Sequence, residues 1–121
     1  MPRVLYVEDE PLLRIDGEGC LADAGYDVAA ACDGEEACEY LREHGAGLDA
    51  LITDIDLDGG LSGWRVANLG RQISQALAVV YVTGAACGDF QALGVPRSLL
   101  FPKPFEWARV IASLPASLTP A

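Results

Sequence analysis

Leu48-Asp49-Ala50-Leu51-Ile52-Thr53-Asp54 is an apolar run that breaks off at a carboxylate, and Ile55-Asp56-Leu57-Asp58-Gly59-Gly60-Leu61-Ser62-Gly63 follows it as a polar, glycine-rich loop. The run from Leu48 to Thr53 has the length and composition of a strand covered on both faces, as strands of parallel sheets are. Ser62 can cap a following helix, in which Val66, Leu69, Gly70 and Ile73 share a face. Strand, acid, loop and helix therefore form one unit of a βα repeat.

The same unit recurs in both directions from it. Arg3 to Val7 is an apolar strand ending in Glu8-Asp9-Glu10, and Pro11 suits the first turn of a helix. Leu12, Ile15, Gly19 and Ala22 lie on one face of that helix, and Gly25 is placed to cap it. Gly17 and Gly19 weaken it by about 1 kcal/mol each relative to Ala. Tyr26 to Ala31 is a second strand, and Asp33 with Glu36 resembles a capping box for a helix through Glu43, stopped by Gly45. Ala78 to Val82 is the fourth strand, ending at Thr83-Gly84. Within Ala85 to Arg97 there is a weak helix around Asp89 to Leu93, and Ser98 to Phe101 is the fifth strand. After Pro102-Lys103-Pro104, a last helix carries Trp107, Val110, Ile111 and Leu114 on one stripe, and Pro115 ends it. The alternation predicts an α/β fold: a five-stranded, doubly wound parallel sheet with helices on both faces. Residues 1–121 form a single domain, with a core over about 4–114 and a frayed tail over 115–121.

Composition narrows the function. Apolar residues make up 51% of the 121 residues, enough for a proper core, and 18 acids against 8 Lys plus Arg give a net charge of −10. That balance argues against direct nucleic-acid binding and against a polybasic membrane anchor. No apolar run has the length of a membrane span, and Met1-Pro2-Arg3 leads straight into a strand rather than a signal peptide. Cys20, Cys32, Cys38 and Cys87 form no C-x-x-C pair and have His44 as the single histidine beside them. They read as reduced, mostly buried thiols of a cytoplasmic protein rather than a zinc site.

In open parallel sheets, ligands sit at the carboxyl ends of the strands. Those ends carry Glu8 and Asp9, then Asp54, then Thr83, with Lys103 after the fifth strand. Three carboxylates, a hydroxyl and an amine thus converge on one edge. Two like charges about 4 Å apart repel by about 4 kcal/mol at an effective dielectric near 20, so such a cluster calls for a proton or a cation. All-oxygen ligands on a solvent-facing rim suit Mg²⁺. A carboxylate beside that ion can attack phosphorus, and Lys103 and Thr83 turn a metal site into a phosphoryl site.

Four motifs in this order, V-E-D-E at Val7 to Glu10, D-I-D-L at Asp54 to Leu57, T-G at Thr83-Gly84 and K-P-F at Lys103 to Phe105, resemble the receiver domain of two-component response regulators, over Val4 to Leu114. The resemblance implies a flavodoxin-like sheet in the order 2-1-3-4-5. It implies that Asp54 is the phosphoacceptor, that Asp9 binds Mg²⁺ directly, that Glu8 acts largely through water and that the backbone carbonyl of Asp56 completes the metal site. Lys103 and Thr83 would bind the phosphoryl group, with a cis peptide between Lys103 and Pro104. The implied partners are a histidine kinase or phosphotransfer protein and a downstream effector, in a monomer or weak dimer that is no enzyme beyond its own phosphoryl transfer and hydrolysis.

The chain also departs from the common receiver pattern. Leu100 occupies the position where receivers usually place an aromatic switch residue. The loop from Asp54 to Gly63 is one residue longer than usual, and Gly84 replaces the common alanine. Y-V-T-G at Tyr81 to Gly84 and P-K-P-F at Pro102 to Phe105 resemble the FATGUY subclass, which implies kinases of the HWE or a related type, and the glycine-rich stretch around the fourth helix suggests a mobile helix that refolds on phosphorylation. Met1 and the tail suit a stand-alone receiver. The competing readings are a phosphorylation-independent binding module with a vestigial site, an EF-hand, opposed by Arg65 at the twelfth loop position, and a haloacid-dehalogenase phosphatase, opposed by the D-x-D lying after the third strand.

Overall fold

The computed structural model describes residues 1–57, 60–84 and 88–115. Its strands are β1 (Arg3–Val7), β2 (Asp27–Ala31), β3 (Ala50–Asp54), β4 (Ala78–Thr83) and β5 (Ser98–Pro102). The helices are α1 (Pro11–Asp23), α2 (Gly34–His44), α3 (Gly63–Ile73), α4 (Phe90–Leu93) and α5 (Trp107–Ser113). All strand pairs are parallel, in the order β2-β1-β3-β4-β5, as the alternation and the resemblance predict. The second and third strands start one and two residues later than the apolar pattern suggests. The expectations for Cys87 and for the tail over 116–121 lie outside the described residues.

Side chains of each strand alternate between two cores, because successive Cβ atoms point to opposite faces. Leu5, Val7, Leu51, Val79 and Tyr81 pack with α2 and α3, whereas Val4, Tyr6, Ile52, Val80 and Val82 pack with Leu21 of α1 and Val110 of α5. The stripe Trp107, Val110, Ile111 and Leu114 lies on this second core, as its spacing predicts.

The capping signals form local hydrogen bonds. Asp33 Oδ1 accepts from Glu36 N at 2.8 Å, and Ser62 Oγ accepts from Arg65 N at 3.4 Å. Glu36 reaches back to Cys32 N rather than to the cap residue, so the capping box is displaced by one residue. Gly25 adopts φ 99°, the left-handed conformation that glycine reaches without strain.

Helix α1 corrects the sequence reading. The face bearing Leu12, Ile15, Gly19 and Ala22 points to solvent, with Leu12 77% and Ile15 64% exposed. The buried face carries Gly17 and Leu21. The cause is the pair of large rings beneath it. A Cβ on Gly17 would lie 2.5 Å from the Trp107 ring and closer still to that of Tyr6, so α1 reaches the sheet through a glycine. The thiols also differ from expectation: of the three described, Cys38 is buried, while Cys20 and Cys32 are half-buried.

Candidate functional site

The carboxyl ends of β1, β3, β4 and the turn after β5 meet, as the topology requires. Parallel pairing sets β1 beside β3, and β3 beside β4, so Glu8 and Asp9 emerge next to Asp54, and Asp54 pairs with Val82 one residue before Thr83. Lys103 N donates to Thr83 O at 2.7 Å, which ties the turn after β5 to the end of β4. The peptide between Lys103 and Pro104 is cis.

The structure brings the carboxylates and the amine together. Lys103 Nζ donates to Glu8 Oε1 and to Asp54 Oδ2, each at 2.8 Å. Glu8 is 1% and Asp54 6% exposed, and Thr83 is buried at its strand end. Oxygen atoms of Glu8, Asp9 and Asp54 lie within 4.8 Å of one another. Asp56 stands beside this group on the exposed loop, with its N–H donating to Asp54 Oδ1 at 3.3 Å.

Burial pushes the Glu8 carboxyl above its ordinary value, against the downward pull of the Lys103 ammonium and the Glu10 N–H. Burial alone would lower the Lys103 pKa. Its hydrogen bonds to Asp54 and Glu8 outweigh that and leave the ammonium more firmly protonated than usual. Three carboxylates share the pocket with the Lys103 ammonium, more negative charge than that one cation neutralises. The donor set is all oxygen and faces solvent at Asp9, so it fits a small hard dication such as Mg²⁺.

Two supporting residues escaped the sequence reading. Arg14 Nη1 donates to Glu8 O at 2.9 Å and holds the turn after β1 against α1. Gly63 N donates to Ile55 O at 2.8 Å, and a Cβ there would collide with the Asp54 carbonyl. The G-G-L-S-G run signalled a tight loop but not that its last glycine closes against the acid. His44 is exposed at the end of α2, away from the site.

A comparison with protein families decides the identity: residues 4–114 match the response regulator receiver domain. This chain belongs to that family. The receiver is 36% identical to a response regulator receiver protein from Sinorhizobium medicae, with a TM-score of 0.89 over 93% of this chain and 90% of that one. It is 26% identical to the response regulator TrrA from Thermotoga maritima, solved in complex with Mg²⁺-BeF, with a TM-score of 0.79 over 93% of this chain and 95% of that one. Among curated proteins it is 32% identical over 106 residues to the sensor kinase CckA of Brucella abortus, covering 85% of this chain and 11% of that protein. It is 43% identical over 74 residues to the virulence regulator PhoP of Salmonella typhimurium, covering 57% of this chain and 32% of that protein. The receiver thus spans about a tenth and a third of these two relatives. Among the described residues, no helix is long and apolar enough to cross a membrane.

Proposed function

We propose that this receiver accepts a phosphoryl group on Asp54 from a phosphohistidine of a sensor kinase or phosphotransfer protein, in a Mg²⁺-dependent reaction, and that the modified form addresses a downstream effector. The observation that carries this reading is the pairing of a buried Asp54 with Lys103 beside Glu8 and Asp9. One Asp54 carboxylate oxygen forms the new bond to phosphorus while the phosphorus–nitrogen bond of the donor breaks, and the electron pair and a proton go to the leaving imidazole. Lys103 follows the charge: its ammonium, already on Asp54 Oδ2, is within reach of an oxygen of the incoming group. Thr83 offers a hydroxyl at the neighbouring strand end. Glu8, Asp9, Asp54 and the Asp56 carbonyl would hold the Mg²⁺, which would supply compensating charge to the phosphoryl oxygens.

The surroundings suit a protein donor. Leu12, Leu13 and Ile15 of α1 are exposed, and a cleft of about 360 Å³ lined by Tyr6, Leu13, Phe105 and Trp107 opens beside Glu8 and Lys103. An apolar patch of this kind on a small acidic domain is a contact surface for another protein. The Y-V-T-G and P-K-P-F motifs support the FATGUY subclass and a kinase of the HWE or a related type. The same chemistry makes the receiver a signalling acceptor that catalyses its own phosphorylation and dephosphorylation, not an enzyme acting on external substrates.

Intact mass after incubation with acetyl phosphate tests the reading. Wild type gains one phosphoryl group with Mg²⁺ and none after chelation, and Asp54→Asn gains none. An adduct that forms equally well on Asp54→Asn overturns it. A wild type that stays unmodified, even with a phosphorylated kinase, supports the phosphorylation-independent binding module instead.

A further inference from the structure

We propose that the groove between α2 and α3 is a docking site for a short acidic segment of another protein, gripped by Arg42 and Arg65. A cleft of about 420 Å³ opens between the two helices. Its floor is apolar, made by Leu61, Leu69 and the buried Cys38, and an exposed arginine stands over it from each helix, Arg42 from α2 and Arg65 from α3. The chain carries 18 acids against 8 Lys plus Arg, yet none of the residues lining this cleft is an acid.

Most basic side chains of the fold are already engaged. Arg3 pairs with Asp27, Lys103 pairs with Glu8 and Asp54, and Arg14, Arg71 and Arg97 donate to backbone carbonyls. Among the described residues, Arg42 and Arg65 form no side-chain hydrogen bond or ion pair, although Glu39 and Glu43 flank Arg42 on α2. Both guanidinium groups pull the pKa of Cys38 down, against the larger upward push of its burial, so both act on the same cleft. A guanidinium presents its donors as a planar fork that matches a carboxylate. Two of them over an apolar floor suit carboxylates spaced by apolar residues.

The shape of the groove favours a peptide over a small anion. Arg65, Asn68, Leu69 and Gln72 form one stripe along α3, at the spacing that shares a helix face. From Arg65 to Gln72 the stripe covers about 10 Å of helix axis, and Leu61 extends the floor at the end nearest the Asp54 loop. That is room for about four residues of extended chain. Asn68 donates to Trp64 O at 2.9 Å, which fixes its amide on the stripe, and Gln72 adds a second amide that can meet a peptide backbone. A net charge of −10 repels acidic partners from the molecule as a whole, so a locally basic, acid-free groove decides where such a partner lands.

The test titrates the isotope-labelled receiver with three probes and reads amide shifts by NMR. The probes are the capped peptide Glu-Leu-Glu-Leu-Glu, its uncharged counterpart Gln-Leu-Gln-Leu-Gln and inorganic pyrophosphate. The acidic peptide gives saturable shifts at Cys38, Leu61, Leu69 and Gln72 at about millimolar concentration, and the uncharged one binds roughly tenfold more weakly or not at all. Arg42→Gln and Arg65→Gln each weaken the acidic peptide about tenfold, the factor of one hydrogen bond to a charged group. Both positions are exposed, and the remaining resonances of each variant overlay those of wild type. Arg109→Gln removes the same charge from the exposed side of α5 and changes binding less than about twofold. Equal binding of the two peptides, no saturable shift at the groove, or an equal loss in all three arginine variants overturns the proposal. Pyrophosphate that binds more tightly than the acidic peptide and displaces it also overturns it, and makes the groove a small-anion site.

Discussion

Gly17 and Gly19 sit two positions apart on α1 and behave oppositely. At Gly19 a Cβ meets nothing within 4 Å, so Gly19→Ala should raise stability by about 0.5–1 kcal/mol through helix propensity. At Gly17 the Cβ runs into the rings of Tyr6 and Trp107, and overpacking of about 1–3 kcal/mol outweighs that gain. Urea unfolding of the two variants should therefore give shifts of opposite sign, and shifts of the same sign would show that α1 does not approach the sheet through Gly17. This residue also marks a limit of sequence reading. Periodicity finds faces by their apolar side chains, and here the buried face is made by a residue without one, while Leu12 and Ile15 stay in solvent. The site residues were legible for the opposite reason. Glu8, Asp9, Asp54, Thr83 and Lys103 each interrupt an apolar run at the same point of its unit, and a parallel sheet gathers such points on one edge. Arg14 was not legible, because its contact is with a backbone carbonyl that no side-chain pattern announces.

At the scale of elements, local capping chemistry carries much of the chain's organisation. The Asp33 side chain accepts the Glu36 N–H, and its removal leaves a donor at the start of α2 without that partner. Asp33→Ala should cost about 1 kcal/mol in a denaturant titration with little change in slope, whereas an unchanged midpoint would mean that the cap contributes nothing. Strand ends and helix starts such as Ser62 were readable because their signals are short-range. The short α4 was readable too, as the weak helix around Asp89 to Leu93, but what holds it against the sheet was not. Its four residues owe their position to Tyr81, Phe90 and the Arg71 contacts, all of them long-range.

The whole molecule carries a pH signature. Burial raises the pKa of Tyr6, Tyr81 and Cys38 above their ordinary values of 10.0, 10.0 and 9.0. A group whose folded pKa is raised lends stability that is fully present below its unfolded pKa and is lost as pH rises through the folded value. Above about pH 9 the unfolded chain releases protons that the fold retains, so stability should fall steadily there. Midpoints measured from pH 7 to 11 should decline on the alkaline side, and a flat profile would contradict the burial of these groups.

Under the proposed function, Asp54 is the one among the clustered carboxylates that takes the phosphoryl group. Reduction of the phosphorylated receiver with tritiated borohydride converts an aspartyl phosphate to homoserine, and peptide mapping then locates the label. Label is expected at position 54. Label at Asp9 or Asp56, with position 54 unlabelled, would contradict it.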